Sequence, residues 1–347
     1  MIGDMFVFDC VCHVYDFSPA NQRRELREME PMLYGWRVAM DSMKYEPQMG
    51  QFAGDFDWET KFTTEQMYEM EFVQSPVDMA MACAVPVWDW FQDSFSSIEA
   101  QHAFASAYPE RVLLSGGVDP IHHGLHGAKV EMIRQKEELG ARSFKFYNGH
   151  IDKSWRCDDR ELAYPLYEQA LNLGVDVLQF HKGLPFGMWD VDVLRPVDLQ
   201  RPARDFPDAK FVIHHLALPY FDEVVSIASR FPNVYLALSG VLSFYKVAPR
   251  RVQEQLGRLL MEVGSDKLMW GSEAAMTGAP APFLEDFVNL EIPDDLRQGY
   301  GYPQITRSDK EKILGLTMAR LFDVDVEAKK AELRALGEPA SRVSGGI

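Results

Sequence analysis

Short apolar runs alternate with longer amphipathic stretches along most of the chain. Runs of this length are typical of buried parallel strands, and residues 161–173, 221–231 and 250–263 have the periodicity of amphipathic helices. Eight such strand–helix units predict an α/β fold, the (β/α)8 TIM barrel. The eight apolar runs are Met5–Val11, Val77–Val85, Arg111–Val118, Ser143–Tyr147, Val175–Phe180, Lys210–His214, Val234–Leu238 and Lys267–Trp270.

A doubly wound open sheet is the alternative fold for the same alternation. Such sheets often carry a G-x-G-x-x-G motif after the first strand, and no such motif follows the first run here. The barrel is therefore favoured. A chain of 347 residues is long enough for two average domains, but also for one barrel with insertions. We expect a single barrel domain over residues 1–347.

Two segments interrupt the regular alternation. Residues 14–60 are dense in aromatic residues and methionine, and residues 274–307 are rich in proline and glycine. They follow the first and eighth runs, so a barrel places both on its C-terminal face, where long loops form substrate walls or lids. We expect both insertions to supply aromatic contacts there. Extra packing or a subunit interface is the alternative.

Ionisable residues stand where several apolar runs end, which in a barrel is the position of the active site. His13, His181 and His215 follow the first, fifth and sixth runs, and Glu273 follows the eighth. Imidazole and carboxylate groups together are a typical ligand set for Zn²⁺, Mn²⁺ or Fe²⁺. These four residues are therefore candidates for a metal-dependent catalytic site.

Several motifs resemble those of the amidohydrolase superfamily, and of its amidohydrolase-2 branch in particular. That branch includes aminocarboxymuconate-semialdehyde decarboxylase, resorcylate and carboxyvanillate decarboxylases, and hydrolases of lactones and ring-cleavage products. The resemblance implies a barrel enzyme and extends from about residue 4 to residue 325. The matching motifs are 8–13 (FDCVCH, similar to D-x-H-x-H), 179–183 (QFHKG, similar to H-x-G), 211–216 (FVIHHL), 270–273 (WGSE, similar to G-S-D), 108–120 and 313–322.

The resemblance also implies roles for the candidate residues. His13, His181 and Glu273 would bind a divalent metal, with zinc first and manganese or iron as alternatives. His215 would polarise substrate or water, and Glu273 would also carry a proton. Two departures stand out: Val11 replaces the first histidine of the H-x-H pair, and Glu273 replaces the usual aspartate. Because Val11 has no donor atom, we expect weaker metal binding, and a metal-free site is the alternative.

Five further residues are candidates for substrate contacts. Lys145 and Lys182 follow or lie in predicted strands and would bind a substrate carboxylate or enolate. Tyr147, Trp88 and Trp189 lie in predicted strand-end loops and would line a flat apolar pocket. Salt bridges in the barrel mouth and packing of the loops are the alternatives for the two groups.

The sequence leaves three functions open. The leading one is a metal-dependent, non-oxidative decarboxylase (a C–C lyase) of an aromatic or muconate-type acid, with Glu273 protonating the ring carbon. A hydrolase or hydratase of a ring-cleavage product or lactone, with His215 as the base, is the first alternative. A metal-free acid–base enzyme or a binding protein is the second. No G-x-S-x-G motif supports serine chemistry.

Charge and cysteine content narrow the partners. A net charge of −17 argues against nucleic acids and anionic membranes as partners. The resemblance implies a small-molecule carboxylate as partner, and we expect a homodimer as assembly. No apolar run fits a signal peptide or membrane span, and four cysteines are too few for a disulfide scaffold. We therefore expect a cytoplasmic protein. Cys10 and Cys12 should point away from His13, because side chains alternate along a strand.

Overall fold

The computed structural model describes residues 1–23, 30–32, 34, 60–185, 187 and 189–336. Its centre is an eight-stranded parallel sheet in which each strand pairs with the next one along the chain. Helices alternate with the strands, so the predicted (β/α)8 barrel is confirmed and the open sheet is wrong. The strands are β1 (Phe8–Cys12), β2 (Met79–Cys83), β3 (Val112–Gly117), β4 (Ser143–Phe146), β5 (Val177–Phe180), β6 (Lys210–Ile213), β7 (Val234–Ala237) and β8 (Leu268–Met269).

Hydrogen bonds join β1 to the chain that follows β8 and so close the barrel. The Glu273 amide donates to the Val11 carbonyl at 3.1 Å. The Asp9 carboxylate adds a second link, because its Oδ1 accepts from the amides of Val11 (3.0 Å) and Ser272 (2.9 Å). These bonds hold the ends of the first and last strands side by side, where two of the candidate residues lie.

Strand β1 contains a bulge just before the candidate site. Its register with β2 shifts between Asp9 and Cys12, which inserts one extra residue into β1. As a result Cys10 and Val11 both face the barrel interior. A Cβ built on Gly271 would lie 2.7 Å from Cys10 Sγ and 2.6 Å from Val11 Cγ1. The bulge interrupts the regular alternation of side chains on which the prediction for Cys10 and Cys12 rests. That these two side chains point away from His13 stays a prediction.

Helices cover the outside of the barrel, and most of them bury apolar residues. In α7 (Pro249–Glu262), for example, Val252, Leu256 and Leu259 recur at helical spacing and are buried. No helix in the described part of the chain is long and apolar enough to span a membrane. The α-helices are α1 (Thr64–Tyr68), α2 (Ile98–Ala107), α3 (Pro120–Glu137), α4 (Tyr164–Asn172), α5 (Gln200–Asp205), α6 (Phe221–Ala228), α7 (Pro249–Glu262), α8 (Ala281–Asn289), α9 (Asp294–Tyr300), α10 (Arg307–Glu311), α11 (Thr317–Leu321) and α12 (Val326–Ala335).

The two predicted insertions are covered to different extents. Most of residues 14–60, including five of their eight aromatic residues, lies outside the described residues. Residues 274–307 contain α8 and α9, which pack beside the segment that follows β7. That the two insertions wall the active site stays a prediction. The ion pairs that attach α8 and α9 are Lys246–Asp286 and Arg250–Asp295.

Candidate active site

Four of the predicted site residues meet at the C-terminal end of the barrel. His13, His181, His215 and Glu273 follow β1, β5, β6 and β8, and parallel strands end at the same face. The imidazoles are buried and the Glu273 side chain is 15% exposed. The contacts run from His13 Nε2 to Glu273 Oε2 (3.5 Å), from Glu273 Oε1 to His215 Nδ1 (3.8 Å) and from His215 Nε2 to His181 Nδ1 (3.1 Å).

Two of these residues have a strained backbone. His215 (φ 58°) and Glu273 (φ 64°) both adopt the left-handed conformation. That conformation costs a residue with a side chain about 1–2 kcal/mol. Such strain persists only where the surrounding structure imposes it, and it clusters at functional sites. The two residues therefore have the backbone character expected of an active site.

A hydrogen-bond network below the site sets the proton positions of its histidines. The Gln179 amide nitrogen donates to two serine hydroxyls, so the amide oxygen accepts from His214 Nε2–H at 2.8 Å. His214 Nδ1 then accepts from the Ser239 hydroxyl at 3.1 Å. One potential metal-ligand atom each of His214, His215 and Glu273 lies within 4.8 Å of the other two. Because the network engages both of its ring nitrogens, His214 supports the site and does not face it with a lone pair.

Each of the other three histidines donates one ring proton to a backbone carbonyl. A neutral imidazole has a single N–H, so the second ring nitrogen carries a lone pair. The second nitrogen of His13 faces Glu273, and those of His181 and His215 face each other. The three bonds run from His13 Nδ1 to Cys83 O (2.6 Å), from His181 Nε2 to Leu184 O (3.0 Å) and from His215 Nδ1 to Ser239 O (3.1 Å).

The contact between His181 and His215 fits a bound cation. Burial lowers the pKa of His13 and His181, and it lowers the pKa of His215 to about 4, so these rings are neutral at neutral pH. Two lone pairs therefore face each other across 3.1 Å, which is repulsive without a positive charge between them. Two nitrogens that are each about 2.1 Å from one metal ion lie about 3 Å apart, so the observed spacing suits a divalent metal.

Two buried donor atoms support the same interpretation. Among the described residues, His13 Nε2 and Glu273 Oε1 have no hydrogen-bond partner. Burial acts to raise the pKa of Glu273, but His215, the Lys145 ammonium and the contact with His13 lower that pKa well below its ordinary value. Glu273 is therefore a carboxylate at neutral pH. One carboxylate and three imidazole lone pairs suit zinc, manganese or iron.

Lys145 and Tyr147 lie beside these residues. Lys145 lies on β4 and is fully buried, and its Nζ has no hydrogen-bond partner within the described residues. Burial lowers the pKa of Lys145, but Tyr147 and Glu273 more than offset this and raise it above its ordinary value. The Tyr147 ring stacks on His181 at 4.7 Å and lies 5.4 Å from Lys145 Nζ. An ammonium group and a flat aromatic wall thus border the site.

Lys182 is used differently from its predicted role. The side chain is fully buried, and its ammonium group donates to Asp198 Oδ2 at 3.0 Å and to the Val193 carbonyl at 2.9 Å. Both acceptors lie in short 3-10 turns after β5. The prediction that Lys182 binds a substrate carboxylate does not fit this position, because the charge is already neutralised. The alternative prediction, a salt bridge at the barrel mouth, describes the observed contacts.

The two candidate tryptophans differ in position. Trp189 packs edge-to-face against His181 at 6.0 Å, next to the site. Trp88 stacks on His122 at 4.1 Å and lines a separate cavity of about 320 Å³. None of the four central residues lines that cavity, although its wall includes Ser96, whose hydroxyl lies 3.5 Å from His13 Nδ1. Trp189 is therefore the better placed of the two for substrate contact.

Three buried ionisable residues beside the site are absent from the sequence prediction. Asp89, Asp119 and His150 follow β2, β3 and β4. His150 lies 3.7 Å from the Asp89 carboxylate and 3.4 Å from that of Asp119. Their position shortly after apolar runs is the signal that indicates them, because it is the same topological position as that of His181 and Glu273.

Comparison with known proteins identifies one matching family. A family model described as Amidohydrolase matches residues 9–324. Protein fluG of Emericella nidulans is 29% identical over 325 residues. This match covers 83% of the chain and 36% of that protein, so the chain spans about a third of the length of its curated relative.

Solved structures share the fold at low sequence identity. A manganese-bound 5-carboxyvanillate decarboxylase from Novosphingobium aromaticivorans, with 3-methoxy-4-hydroxy-5-nitrobenzoic acid, has a TM-score of 0.58 and 13% identity, over 92% of this chain and 97% of that one. A probable 2-pyrone-4,6-dicarboxylic acid hydrolase from Acinetobacter baumannii, with citric acid bound, has a TM-score of 0.52 and 14% identity, over 92% and 100%. At these identities the likeness shows the barrel fold.

Proposed function

The chain belongs to the amidohydrolase family and is an enzyme, and we propose that it is a divalent-metal-dependent, non-oxidative decarboxylase of an aromatic or muconate-type carboxylic acid. One observation carries this proposal: three neutral imidazoles and one carboxylate form a chain of close contacts at the carboxyl end of the barrel, in which the lone pairs of His181 and His215 face each other and that of His13 faces Glu273. The substrate is a small-molecule carboxylate. A metal-free site would leave the His181–His215 contact repulsive, so it is the weaker alternative.

The proposed metal ligands are His13, His181 and Glu273, and the 3.1 Å spacing of His181 Nδ1 and His215 Nε2 makes His215 a further candidate ligand. A divalent metal held by these residues would supply Lewis-acid chemistry, which would favour binding of the substrate carboxylate and withdrawal of electron density from the ring. Val11 contributes no donor atom, so these residues leave coordination positions that substrate oxygens can fill. Zinc is the first candidate by ligand type, with manganese or iron as alternatives.

Lys145, Tyr147 and Trp189 are the proposed substrate-binding residues. The buried Lys145 ammonium lies beside Tyr147 and forms no ion pair within the described residues, so its charge is available for a carboxylate or enolate oxygen of the substrate. Tyr147 stacks on His181, and Trp189 meets the same imidazole edge-on. These two rings form flat walls, which favour a planar substrate.

Glu273 is the proposed proton carrier. Because it is ionised at neutral pH, it must accept a proton before it can donate one. In this proposal Glu273 accepts the proton of a substrate hydroxyl. It then transfers that proton to the ring carbon as the bond to the departing CO₂ breaks. A C–H bond then replaces the C–C bond, and the substrate oxygen regains a proton from solvent. This order of transfers fits a carboxylate whose low pKa makes it a relay and not a standing acid.

The proteins that share this fold support both the first and the second candidate function. The manganese-bound 5-carboxyvanillate decarboxylase supports a decarboxylase. The probable 2-pyrone-4,6-dicarboxylic acid hydrolase supports a hydrolase of a lactone or ring-cleavage product. The observation that favours the latter is the neutral His215, since an imidazole whose Nδ1–H is held by the Ser239 carbonyl can accept a proton from water at Nε2.

Isotope incorporation distinguishes the two reactions. The metal-loaded enzyme is incubated in D₂O, and separately in H₂¹⁸O, with hydroxybenzoic acids, methoxy-hydroxybenzoic acids, muconate-type acids and dicarboxylic lactones. A decarboxylase releases CO₂ and leaves one deuterium at the vacated carbon. A hydrolase instead places ¹⁸O in the new carboxylate and releases no CO₂. Glu273→Gln serves as the inactive control, and ¹⁸O incorporation without CO₂ release would replace the decarboxylase proposal by the hydrolase.

A further inference from the structure

Four buried side chains form a continuous network beside the proposed metal ligands. Asp89, Asp119, His150 and Trp189 follow β2, β3, β4 and β5. Each of them is at most 14% exposed. The network therefore spans four consecutive loops on the catalytic face of the barrel, and none of its members is among the proposed metal ligands.

His150 is the positive centre of this network. Its Nδ1 lies 3.7 Å from Asp89 and its Nε2 lies 3.4 Å from Asp119. Burial lowers the pKa of His150, but the two carboxylates outweigh burial and raise the pKa to about 9. The other titratable group facing it, His122 at the start of α3, has a lowered pKa because of burial, and is neutral. His150 is therefore an imidazolium at neutral pH.

Asp119 is held rigidly, and this fixes one side of His150. It is the N-cap of α3, and its carboxylate accepts from the amides of Ile121 (3.0 Å) and His122 (3.1 Å). The backbone of His150 is also held, because its amide donates to the Ser154 hydroxyl at 2.9 Å. The imidazolium can therefore act as a fixed charge against Asp89.

Asp89 connects His150 to an aromatic wall of the site. Its Oδ2 accepts from the Trp189 indole N–H at 2.9 Å. The indole lies flat on the backbone of Gly149, where a Cβ would come within 2.7 Å of its Cε3. Its edge meets the His181 imidazole at 6.0 Å, and Trp90 lies 5.9 Å away. Trp189 is thus fixed by one hydrogen bond and by close packing.

We propose that His150, held between Asp89 and Asp119, is a positioning residue that fixes the Trp189 indole beside His181 and so determines which planar substrates fit the site. The part about substrates rests on the proposed function. The part about the indole does not, because it depends only on the contacts among these side chains. Without the imidazolium, two buried carboxylates would face each other, and Asp89 would have to turn or take up a proton. Either change removes the acceptor of the indole N–H.

The test compares His150→Asn and Asp89→Asn with Trp189→Phe. All three should raise KM for a planar substrate about ten-fold while kcat changes less than about three-fold, as expected when one buried, charge-assisted hydrogen bond to a wall residue is lost. Metal content should stay at the wild-type level. His102→Asn, which alters a histidine on α2 outside the network, is the matched control with wild-type kinetics.

Tryptophan emission provides a readout that does not require activity. The Trp189 contribution is the difference between the spectra of the wild type and Trp189→Phe. In His150→Asn this contribution should shift and become more accessible to quenching by acrylamide, and in His150→Lys, which restores a positive charge, it should return toward the wild type. A wild-type Trp189 signal and KM in both His150→Asn and Asp89→Asn would overturn the proposal. A fall in kcat, metal content and melting temperature together would also overturn the proposal, because it would indicate general loss of folding. A changed Trp189 signal in a protein that decarboxylates nothing would leave this proposal standing and contradict only the proposed function.

Discussion

Individual protons decide the chemistry of this site. The backbone carbonyls of Ser239, Cys83 and Leu184 each accept a hydrogen bond from one histidine ring N–H. The other ring nitrogen of each histidine therefore carries a lone pair. The identities of His13, His181 and His215 could be predicted, because each directly follows an apolar run. Their proton positions could not be predicted, since these depend on which backbone carbonyls the fold brings to each ring, and those of Cys83 and Ser239 are distant in sequence.

Glu273→Gln should lower kcat by about 10²–10⁴, the range that a proton-transferring group supplies. Glutamine keeps the length of the side chain but can neither carry the proton nor the negative charge. Steady-state kinetics on the active substrate, with metal content measured in parallel, checks this. Glu161→Gln, at an exposed position, is the control. Undiminished kcat in metal-loaded Glu273→Gln would exclude Glu273 as the proton carrier.

Val11→His should tighten metal binding. The bulge in β1 turns Val11 toward the interior, beside Gly271, so an imidazole at this position would point into the barrel and could add a ligand. The expected gain is about ten- to hundred-fold in Kd, comparable to the effect of a ligand-supporting group. Calorimetric titration of metal-stripped protein with Zn²⁺ measures it. Val11→Ala is the control, and a Kd for Val11→His no lower than that of Val11→Ala would contradict this arrangement of β1.

At the scale of elements, the hydrophobic pattern of the sequence predicts the strands but does not reveal local irregularities within them. Apolar runs predicted all eight strands, because a strand buried on both faces is apolar along its whole length. The bulge in β1 was missed, since an inserted residue shows only in the register against β2. Lys182 directly follows His181, and neighbouring residues along a strand point to opposite sides. The predicted substrate-binding role of Lys182 does not fit its observed contacts. Its partner Asp198 lies 16 residues further on, and such pairs have no local pattern.

Lys182→Met should destabilise the fold without affecting the site. Removing the ammonium leaves the Asp198 carboxylate buried without its counter-charge, which costs about 3–5 kcal/mol of unfolding free energy. The double variant Lys182→Met/Asp198→Leu should recover much of that loss. Urea denaturation measures both. Lys312→Met, in the exposed pair with Asp266, should cost less than about 1 kcal/mol.

A different result for Lys182→Met would revive its predicted role. If the variant kept wild-type stability but raised KM for a carboxylate substrate at least ten-fold, Lys182 would bind substrate and the buried ion pair would be of little consequence. Metal content and near-ultraviolet circular dichroism of the folded variant show whether the barrel mouth is intact.

At the scale of the whole molecule, stability should depend on pH through His150. Its pKa is about 9 in the folded protein and near 6.5 when exposed, so folding favours the protonated form. Its contribution is therefore complete below about pH 6.5 and is lost as the pH rises through about 9. The urea midpoint of the wild type should exceed that of His150→Asn at pH 6, and the gap should close by pH 10. A gap that is constant from pH 6 to pH 10 would contradict the imidazolium, and His102→Asn should show no gap.

The architecture of the whole chain was the most predictable property. Eight buried runs and the strand-end residues sufficed for the barrel and for the placing of four side chains in one site. Long-range ionic contacts such as that of His150 with Asp89 and Asp119 could not be predicted, since they join loops of three different strands. A single domain over residues 1–347 stays a prediction, because the described part of the chain ends at residue 336.

Removal and return of the metal tests the catalytic role of the site most directly. Protein stripped with a chelator should lose activity, and activity should return in proportion to added Zn²⁺ or Mn²⁺ up to one ion per chain. His181→Ala should neither retain the ion at this stoichiometry nor recover activity, because one of the facing imidazole lone pairs is gone. Full activity in metal-free wild-type protein would contradict the proposed metal centre and leave acid–base catalysis by Glu273 and His215 in its place.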